Sequence, residues 1–435
     1  MSDATFTCPD LTSFCRLDGL GLEVTGQSIE PDRAILACRP VDADDWCRDC
    51  GGQGLIRGSV VRLLSHVPLG WRPTVLHVRL RRYRCIECGR VWRQDTSAAA
   101  EPRSKLSRAA LRWGLEGLVV QHLSMSRIAA GLDVAWNTAN DAVLAEGQRV
   151  LISDLARFDG VKVIGVDEHC WRHTRRGEKY VTVIIDLTPT RDGTGPARLL
   201  DMVEGRSKQV FKTWLAARPR AWRKGIEVVA MDGFTGYKTA AVEELGNATT
   251  VMDPFHVVRL AGEALTRCRQ RVQQDTCGHR GRAGDPLYRA RRTLLTGVDL
   301  LTDKQVARLE ALFADEQHTE VYATWSIYQR LVVAYRNPDK QLGRFLLQGV
   351  IDSVSTGVPR DLVELVSLGR TLHRRAADVL AFFDRPGTSN GPTEAINGRL
   401  EHLRGIALGF RNLTHYIARS LLETGGFKPH LHPAL

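Results

Sequence analysis

The sequence predicts a multidomain α/β protein, and three observations carry this prediction. Two Cys-x-x-Cys pairs flank a strand-like stretch near the N-terminus, apolar strands alternate with helices over residues 161–253, and residues 257–388 have helical spacing throughout. Of the 435 residues, 43% are hydrophobic and 25% are charged, which excludes a disordered or fibrous protein. No run of about 18 apolar residues occurs, and the N-terminus lacks the basic and apolar regions of a secretory signal.

Charge is distributed unevenly along the chain. The net charge is +11 and the isoelectric point about 9.3. Residues 1–50 hold ten acidic and four basic side chains, whereas residues 51–110 hold twelve basic and three acidic ones. A basic block beside an acidic one indicates a module that binds a polyanion, although a solvated face of mixed charge would give the same composition.

The basic block contains two cysteine knuckles, Cys47 with Cys50 and Cys85 with Cys88. Two residues between cysteines let both thiolates face one ion, so two knuckles predict a closed, tetrahedral, structural zinc site. Residues 57–65 and 74–84 alternate as strands, with a turn at 68–70, which predicts a zinc ribbon within residues 1–100. A redox pair of the thioredoxin type is disfavoured because neither knuckle opens a helix after a strand. Three further cysteines have no partner by spacing and are expected to be free thiols, namely Cys8, Cys15 and Cys38.

Residues 101–155 are predicted to form a helix-turn-helix domain. In segment 124–144 a first helix is followed by a turn at Gly131, a hydrophobic corner at Val134 and a second helix from Trp136 to Val143. This arrangement is typical of DNA readers, although a plain helical hairpin has a similar pattern. The candidate DNA contacts of the N-terminal region are the arginines of the ribbon strands and the outer side of the second helix: Arg79, Arg81, Arg82, Arg84, Asn137, Thr138 and Asn140.

A mixed sheet is predicted over residues 161–253. Strands are expected at 161–167, 177–187, 197–205, 226–237 and 248–253, with helices at 207–217 and about 236–245. The first and fourth strands each lead to an acid, Asp167 and Asp232. If these strands are neighbours, the two carboxylates lie close together and can hold magnesium, which activates an attacking oxygen and stabilises a leaving one. A structural role at a strand end remains the alternative for each acid, and Asp186 and Asp253 are weaker candidates.

Glu394 can supply a third carboxylate to this site. Gly391 and Pro392 are typical of a helix start, which puts Glu394 in the first turn, with an apolar stripe behind it. The alternative is that Glu394 only interacts favourably with the helix dipole.

With these motifs the chain resembles bacterial insertion-sequence transposases of the ISL-three family, DDE transposases with a ribonuclease H-like core. The resemblance covers nearly the whole chain and is carried by the knuckle region (CRDCGG … RRYRCIECGRVW) and by VIGVDEHCWR, AMDGFTGYKTA, MDPFHVV and SNGPTEAINGRLEHLRG. It implies a catalytic triad of Asp167, Asp232 and Glu394 that binds two magnesium or manganese ions. Asp253 and His256 resemble an Asp-x-x-His motif, in which the histidine lies near the scissile phosphate. The alternative is that Asp253 caps a helix and His256 lies on the surface.

The long separation of Glu394 from Asp232 indicates an all-helical insertion at 257–388. The expected domains are 1–100, 101–155, 156–256, 257–388 and 389–435. Basic pairs of the insertion (Arg291-Arg292 and Arg374-Arg375) could follow a DNA backbone, and Arg399 and Arg404 of the Glu394 helix are further candidates. Trp325 could stack on a flipped base, but a core aromatic cluster is the favoured interpretation.

The resemblance also implies partners and a location. Double-stranded DNA is expected as the partner, both as terminal inverted repeats and as target, with a homodimer or larger assembly and a cytoplasmic, nucleoid-associated protein. Two other functions remain open: a DNA-binding regulator with an inactive core, and a nuclease or resolvase that works by hydrolysis alone.

Overall fold

The computed structural model describes residues 10–174 and 177–431, which form two compact units. The first comprises residues 10–157 and 405–431, and the second comprises residues 158–404. Each unit contains a mixed five-stranded sheet and helices, so the predicted α/β class is confirmed. Cys8 lies outside the described residues. The five-domain division stays a prediction, although residues 405–431 belong to the first unit and not to the unit that contains Asp167.

Strands and helices follow one another along the described residues in this chain order. The strands are β1 Leu22–Ile29, β2 Ala34–Pro40, β3 Gly54–Leu69, β4 Arg72–Cys85, β5 Val91–Arg93, β6 Val163–Cys170, β7 Tyr180–Asp186, β8 Arg198–Glu204, β9 Val228–Met231 and β10 Thr249–Met252. The helices are α1 Leu11–Phe14, α2 Arg108–Val119, α3 Met125–Gly131, α4 Trp136–Gly147, α5 Thr188–Asp192, α6 Lys208–Ala216, α7 Arg220–Gly225, α8 Thr235–Leu245, α9 Pro254–Cys277, α10 Pro286–Ala290, α11 Asp303–Phe313, α12 Thr319–Arg336, α13 Lys340–Thr356, α14 Val363–Arg374, α15 Ala376–Asp384, α16 Gly391–Ile406, α17 Leu413–Thr424 and α18 Lys428–Leu431. None of the helices in these ranges is both long and apolar enough to cross a membrane.

The sheet of the first unit has the order β1-β2-β4-β3, with β5 paired to β4. Strands β3 and β4 form the predicted hairpin, but both are longer than expected and the turn is shifted to Gly70 and Trp71. The shift occurs because Gly70 adopts the left-handed conformation (φ 64°) that lets β3 continue to Leu69. Alternate residues such as Leu76 and Val78 are buried in the core on one face of the sheet.

Helices α3 and α4 form the predicted helix pair, with two differences in detail. Asp133 adopts the positive φ of the turn and Leu132 is the buried corner residue, where Gly131 and Val134 were expected. Asn140 was expected on the outer side of α4, but it is 3% exposed, and its Nδ2 lies 3.4 Å from Nδ1 of His415. Asn140 is covered because α17 packs on α4.

The sheet of the second unit has the order β8-β7-β6-β9-β10. Its first three strands are antiparallel to their neighbours, and β6, β9 and β10 run parallel. Strand β6 does not end at Asp167 as predicted but continues to Cys170, because β7 pairs with it along its whole length. The helices α6 and α8 pack together, and Phe211 and Tyr237 join the sheet core between them.

Residues 257–388 are all described and contain helices but no strand, as the periodicity predicted. Their core is continuous with Met252 at the end of β10, and α15 packs against that strand. The insertion is therefore built onto the edge of the sheet.

Candidate active site and zinc site

Asp167 and Asp232 lie at the same level of two adjacent parallel strands. The pairing of β6 with β9 ends at Val166 and Met231, and each acid is the next residue of its chain. The parallel register therefore brings the two carboxyl groups to one side of the sheet end, as the sequence predicted for neighbouring strands.

The Asp167 carboxylate is half-buried and held by two donors. The Glu168 backbone N–H donates to Oδ1 at 2.8 Å, and the Asn397 side chain donates to Oδ2 at 2.9 Å. Burial raises the pKa of Asp167 to about 7, and the nearby carboxylates of Asp232, Glu168 and Glu394 raise it further. The protein alone thus disfavours a charge that a cation at this position would stabilise.

Asp232 is fixed by the turn that follows β9. The Phe234 backbone N–H donates to Oδ1 of Asp232 at 2.9 Å, and Oδ2 lies 3.9 Å from Nε2 of His256. Arg259 donates to the same histidine nitrogen at 2.6 Å. Burial, and then the Arg259 charge, lower the pKa of His256, so its ring is neutral near pH 7. His256 lies beside Asp232 and is largely covered, not on the open surface.

Glu394 is exposed in the first turn of α16, and Asp253 holds the segment just before it. Oδ1 of Asp253 accepts the Asn390 backbone N–H at 2.8 Å. Asp253 makes no side-chain bond to the N-terminus of α9, so the alternative that it caps this helix is wrong. It instead ties the start of α16 to the end of β10.

Gly165 of β6 provides the space in which α16 approaches the sheet. A Cβ atom at this position would lie 2.6 Å from Oγ1 of Thr393 and 3.2 Å from Oδ1 of Asn390. Both residues are buried. The Ser-Asn-Gly-Pro-Thr-Glu segment therefore packs directly on the backbone of β6, two residues before Asp167.

Replacing Gly165 by alanine should displace α16 and impair the site. We expect the free energy of unfolding to fall by about 1–3 kcal/mol, the usual effect of overpacking a close contact. Denaturant titration measures this, with Gly225→Ala as control because a Cβ there meets nothing within 4 Å. Equal stability of the two variants would contradict the close packing of α16.

The residues of this site fit a divalent cation. Apart from the raised pKa of Asp167, the buried Oδ1 of Asn397 has no hydrogen-bond partner. A cavity of about 890 Å³ beside Asp232 is lined by three further acids and by Arg206. The acids are not drawn tightly together, since no three potential ligand atoms of the described carboxylates gather within 4.8 Å. Asn397 was not among the residues predicted from the sequence, although its position three residues after Glu394 on one helix face would have indicated it.

The four knuckle cysteines do gather, with all four sulfurs within 4.8 Å of one another. Sγ of Cys47 lies 3.6 Å from that of Cys88, and Sγ of Cys50 lies 3.3 Å from that of Cys85. Zinc–sulfur bonds of about 2.3 Å in a tetrahedron require sulfurs about 3.8 Å apart, so this set is compatible with a zinc ribbon. Each knuckle ends in a glycine with φ 74°, a conformation that other residues rarely adopt.

The remaining cysteines with open roles are consistent with free thiols. Cys15 is half-buried and Cys38 buried, and neither forms a disulfide. Burial raises the pKa of Cys38 to about 11, which leaves this thiol unreactive.

The ribbon arginines do not share one face. Arg79 and Arg81 alternate with the buried Val78 and Leu80, whereas Arg82 and Arg84 lie on the other side of β4. Within residues 10–174 and 177–431, none of the four forms an ion pair with a carboxylate. All four side chains are exposed.

The other candidate DNA contacts differ in accessibility. Asn137 is exposed and Thr138 half-buried on α4, and Arg399 is exposed on α16. Arg404 is only 16% exposed; it pairs with Glu401 and donates to the Cys170 carbonyl at 3.2 Å. This carbonyl lies at the end of β6, so Arg404 is committed to an internal contact and the prediction that it is available to DNA is wrong.

Two predictions for the insertion are also decided by burial. Arg374 is exposed, whereas Arg375 is 5% exposed and cannot follow a DNA backbone. Trp325 packs on Phe313 and Tyr322, with ring centroids 5.2 and 6.1 Å apart, and adds to the core of the insertion. This agrees with the favoured interpretation of a core aromatic cluster.

Comparison with known proteins agrees with the class that these motifs indicated. The family model for DDE transposases of the ISL3 type, described as Transposase, matches residues 164–420. The match spans more than half of the chain, from β6 to α17, and the protein therefore belongs to this family of insertion-sequence transposases. Its similarity extends to the transposase for insertion sequence element IS1557 of Mycobacterium tuberculosis, with 24% identity over 337 residues and 72% of each chain covered. The transposase for insertion sequence element IS1001 of Bordetella parapertussis is 24% identical over 304 residues, covering 69% of this chain and 70% of its own.

Proposed function

We propose that the protein binds the terminal inverted repeats of an insertion sequence and catalyses metal-dependent DNA cleavage and strand transfer, with Asp167, Asp232 and Glu394 as the catalytic acids. The observation that carries this proposal is the register of β6 and β9, which brings Asp167 and Asp232 to one sheet end within the family-matched segment. The donor from α16 to Asp167 links the Glu394 helix to the same place.

The sheet supports a ribonuclease H-like core for this unit. Three antiparallel strands followed by two parallel ones, in the order β8-β7-β6-β9-β10, are the strand order expected of such a core. The acids lie on its first and fourth strands in chain order, and the insertion separates the last strand from the third acid. By family analogy, this segment is the catalytic domain.

The chain's own residues would prepare the site in distinct ways. Asp167, Asp232 and Glu394 would hold two magnesium or manganese ions. When bound, such ions activate the attacking oxygen and stabilise the leaving oxygen of an in-line displacement at phosphorus. Asn397 orients Asp167, and the Phe234 N–H fixes one oxygen of Asp232. The neutral His256 would position the substrate beside Asp232 without adding a charge.

The first unit is proposed to recognise DNA. The exposed arginines of β4 would contact phosphates, and the outer residues Asn137 and Thr138 of α4 would read bases. Phosphate contacts predict binding that weakens steeply with salt. The five predicted domains, a homodimer or larger assembly at paired element ends and a nucleoid-associated location in the bacterial cytoplasm belong to the same proposal.

The test is metal-dependent nicking of an element end by Asp232→Asn. We expect the rate to fall by at least about 10³-fold, because one carboxylate ligand is lost at the reacting phosphate, while DNA binding in gel shifts is retained. Asp192→Asn is the matched control, since Asp192 is an exposed acid of the same unit and lies outside the site.

The alternatives give different outcomes. Nicking that survives Asp232→Asn would refute the site assignment. Cleavage by the wild type without joining of a pre-cleaved end to target DNA would identify a nuclease. Repeat binding without any nicking in magnesium or manganese would identify a regulator.

A further inference from the structure

Arg375, which lies between α14 and α15 of the insertion, contacts the turn that carries Asp232. Its Nη1 donates to the Gly233 carbonyl at 3.0 Å, and its Nε donates to Asp378 at 2.6 Å. The side chains of Arg375 and Asp378 are 6% and 3% exposed. A basic residue of the insertion is thus committed to internal contacts next to a proposed catalytic acid.

Asp378 joins this contact to two other elements of the catalytic unit. Its carboxylate accepts from Thr250 of β10 at 2.8 Å and pairs with Lys238 of α8 at 2.9 Å. Helix α8 begins just after the turn, at Thr235. The buried carboxylate is therefore satisfied by three donors, from α8, from β10 and from Arg375 itself.

The turn after Asp232 is consequently held from several sides. The Phe234 N–H bonds the Asp232 carboxylate, the Gly233 carbonyl accepts from Arg375, and a Cβ on Gly233 would lie 3.4 Å from the His256 ring. A hydrogen-bonded carbonyl one residue after Asp232 restricts the backbone of the turn and hence the direction of the Asp232 carboxylate. The donor to this carbonyl comes from the insertion and not from the sheet.

We propose that Arg375 and Asp378 are positioning residues for Asp232, so that the helical insertion forms part of the metal-binding site. This inference rests on the proposed function of Asp232. It assigns the insertion a role in catalysis that is independent of any DNA contact. The contact to be disturbed is the bond from Arg375 to the Gly233 carbonyl.

The test measures Mn²⁺ binding to the full-length protein by calorimetry without DNA. Arg375→Met should raise the dissociation constant about 10–100-fold, as loss of outer partners of metal ligands usually does. Arg375→Lys should recover part of the affinity, because an ammonium can still pair with Asp378. Asp378→Asn should also weaken binding, and it provides a second variant if Arg375→Met does not fold.

Two controls separate positioning from mere stabilisation. Arg271→Met breaks ion pairs with Glu320 and Glu364 elsewhere in the insertion, so it should lower the Tm without changing Mn²⁺ affinity. Arg374→Ala removes the exposed neighbouring charge and should leave Mn²⁺ affinity unchanged. All titrations are run well below the Tm of each variant.

The outcomes distinguish this inference from the proposed function. Wild-type Mn²⁺ affinity in folded Arg375→Met or Arg375→Lys together with Asp378→Asn, while Asp232→Asn loses affinity, would overturn the positioning role alone. Unchanged affinity in Asp232→Asn would overturn the proposed site, and with it the positioning role.

Discussion

Asp167→Asn is expected to abolish DNA cleavage and to stabilise the metal-free protein. Cleavage should fall by at least about 10³-fold, because the ligand shared by the proposed ions is lost. Stability should rise because a half-buried carboxylate close to other acids is replaced by a neutral amide of the same shape. Asn397 can serve the new side chain by turning its unpartnered oxygen toward it.

The stabilisation should depend on pH in a defined way. The pKa of Asp167 is about 7 in the folded chain against an ordinary 3.8, so the folded state binds more protons between these values. The stability of the metal-free wild type therefore falls as pH rises from about 4 to about 7. The advantage of Asp167→Asn should grow through this window and reach on the order of 2–4 kcal/mol above it.

Scanning calorimetry in chelator at pH 5 and pH 8 measures this effect. Added Mn²⁺ should stabilise the wild type and not the variant, since only the wild type binds it. Glu394→Gln is the control: it should lose cleavage equally but gain little stability, because Glu394 is exposed. A variant no more stable than the wild type at pH 8 would argue against a strained carboxyl at position 167.

Cys85→Ser is expected to remove zinc from the protein and unfold the end of the ribbon. Cys85 is buried and accepts the Cys88 backbone N–H at 3.5 Å, which is the main reason that its pKa is lowered to about 7. Structural zinc binding contributes roughly 10–16 kcal/mol to small domains at pH 7, so loss of one thiolate has a large effect.

Elemental analysis and hydrogen exchange measure the outcome. The wild type should contain one zinc per chain and Cys85→Ser close to none, with loss of exchange protection in β5 and in the adjoining ends of β3 and β4. Cys277→Ser is the control, because Cys277 is an exposed thiol of α9 in the other unit. Full zinc content in Cys85→Ser would refute the four-cysteine site.

Local patterns predicted much of this protein. Knuckle spacing identified the four cysteines, alternation identified the sheet strands, and helical spacing identified the insertion. Asp167 and Asp232 were found because parallel neighbours end at the same sheet edge. These features depend on residues close together in the chain, which a single sequence displays.

The errors concern polar residues whose partners are distant in the chain. Asn140 is covered by α17, Arg404 binds a carbonyl of β6, and Arg375 binds the turn after β9. Each has the composition of an exposed residue, and only the tertiary fold supplies the partner that offsets its desolvation. The extension of β6 past Asp167 has the same origin, because it depends on pairing with β7.

The alternation of β4 has a consequence for how much charge one ligand can meet. Basic residues counted along the chain are not residues counted on a surface. A straight duplex lying against either side of the ribbon would meet two of the four β4 arginines, and the other pair would point away from it. The ribbon is thus a two-sided element, and a complex that uses all four arginines must place nucleic acid on both of its sides.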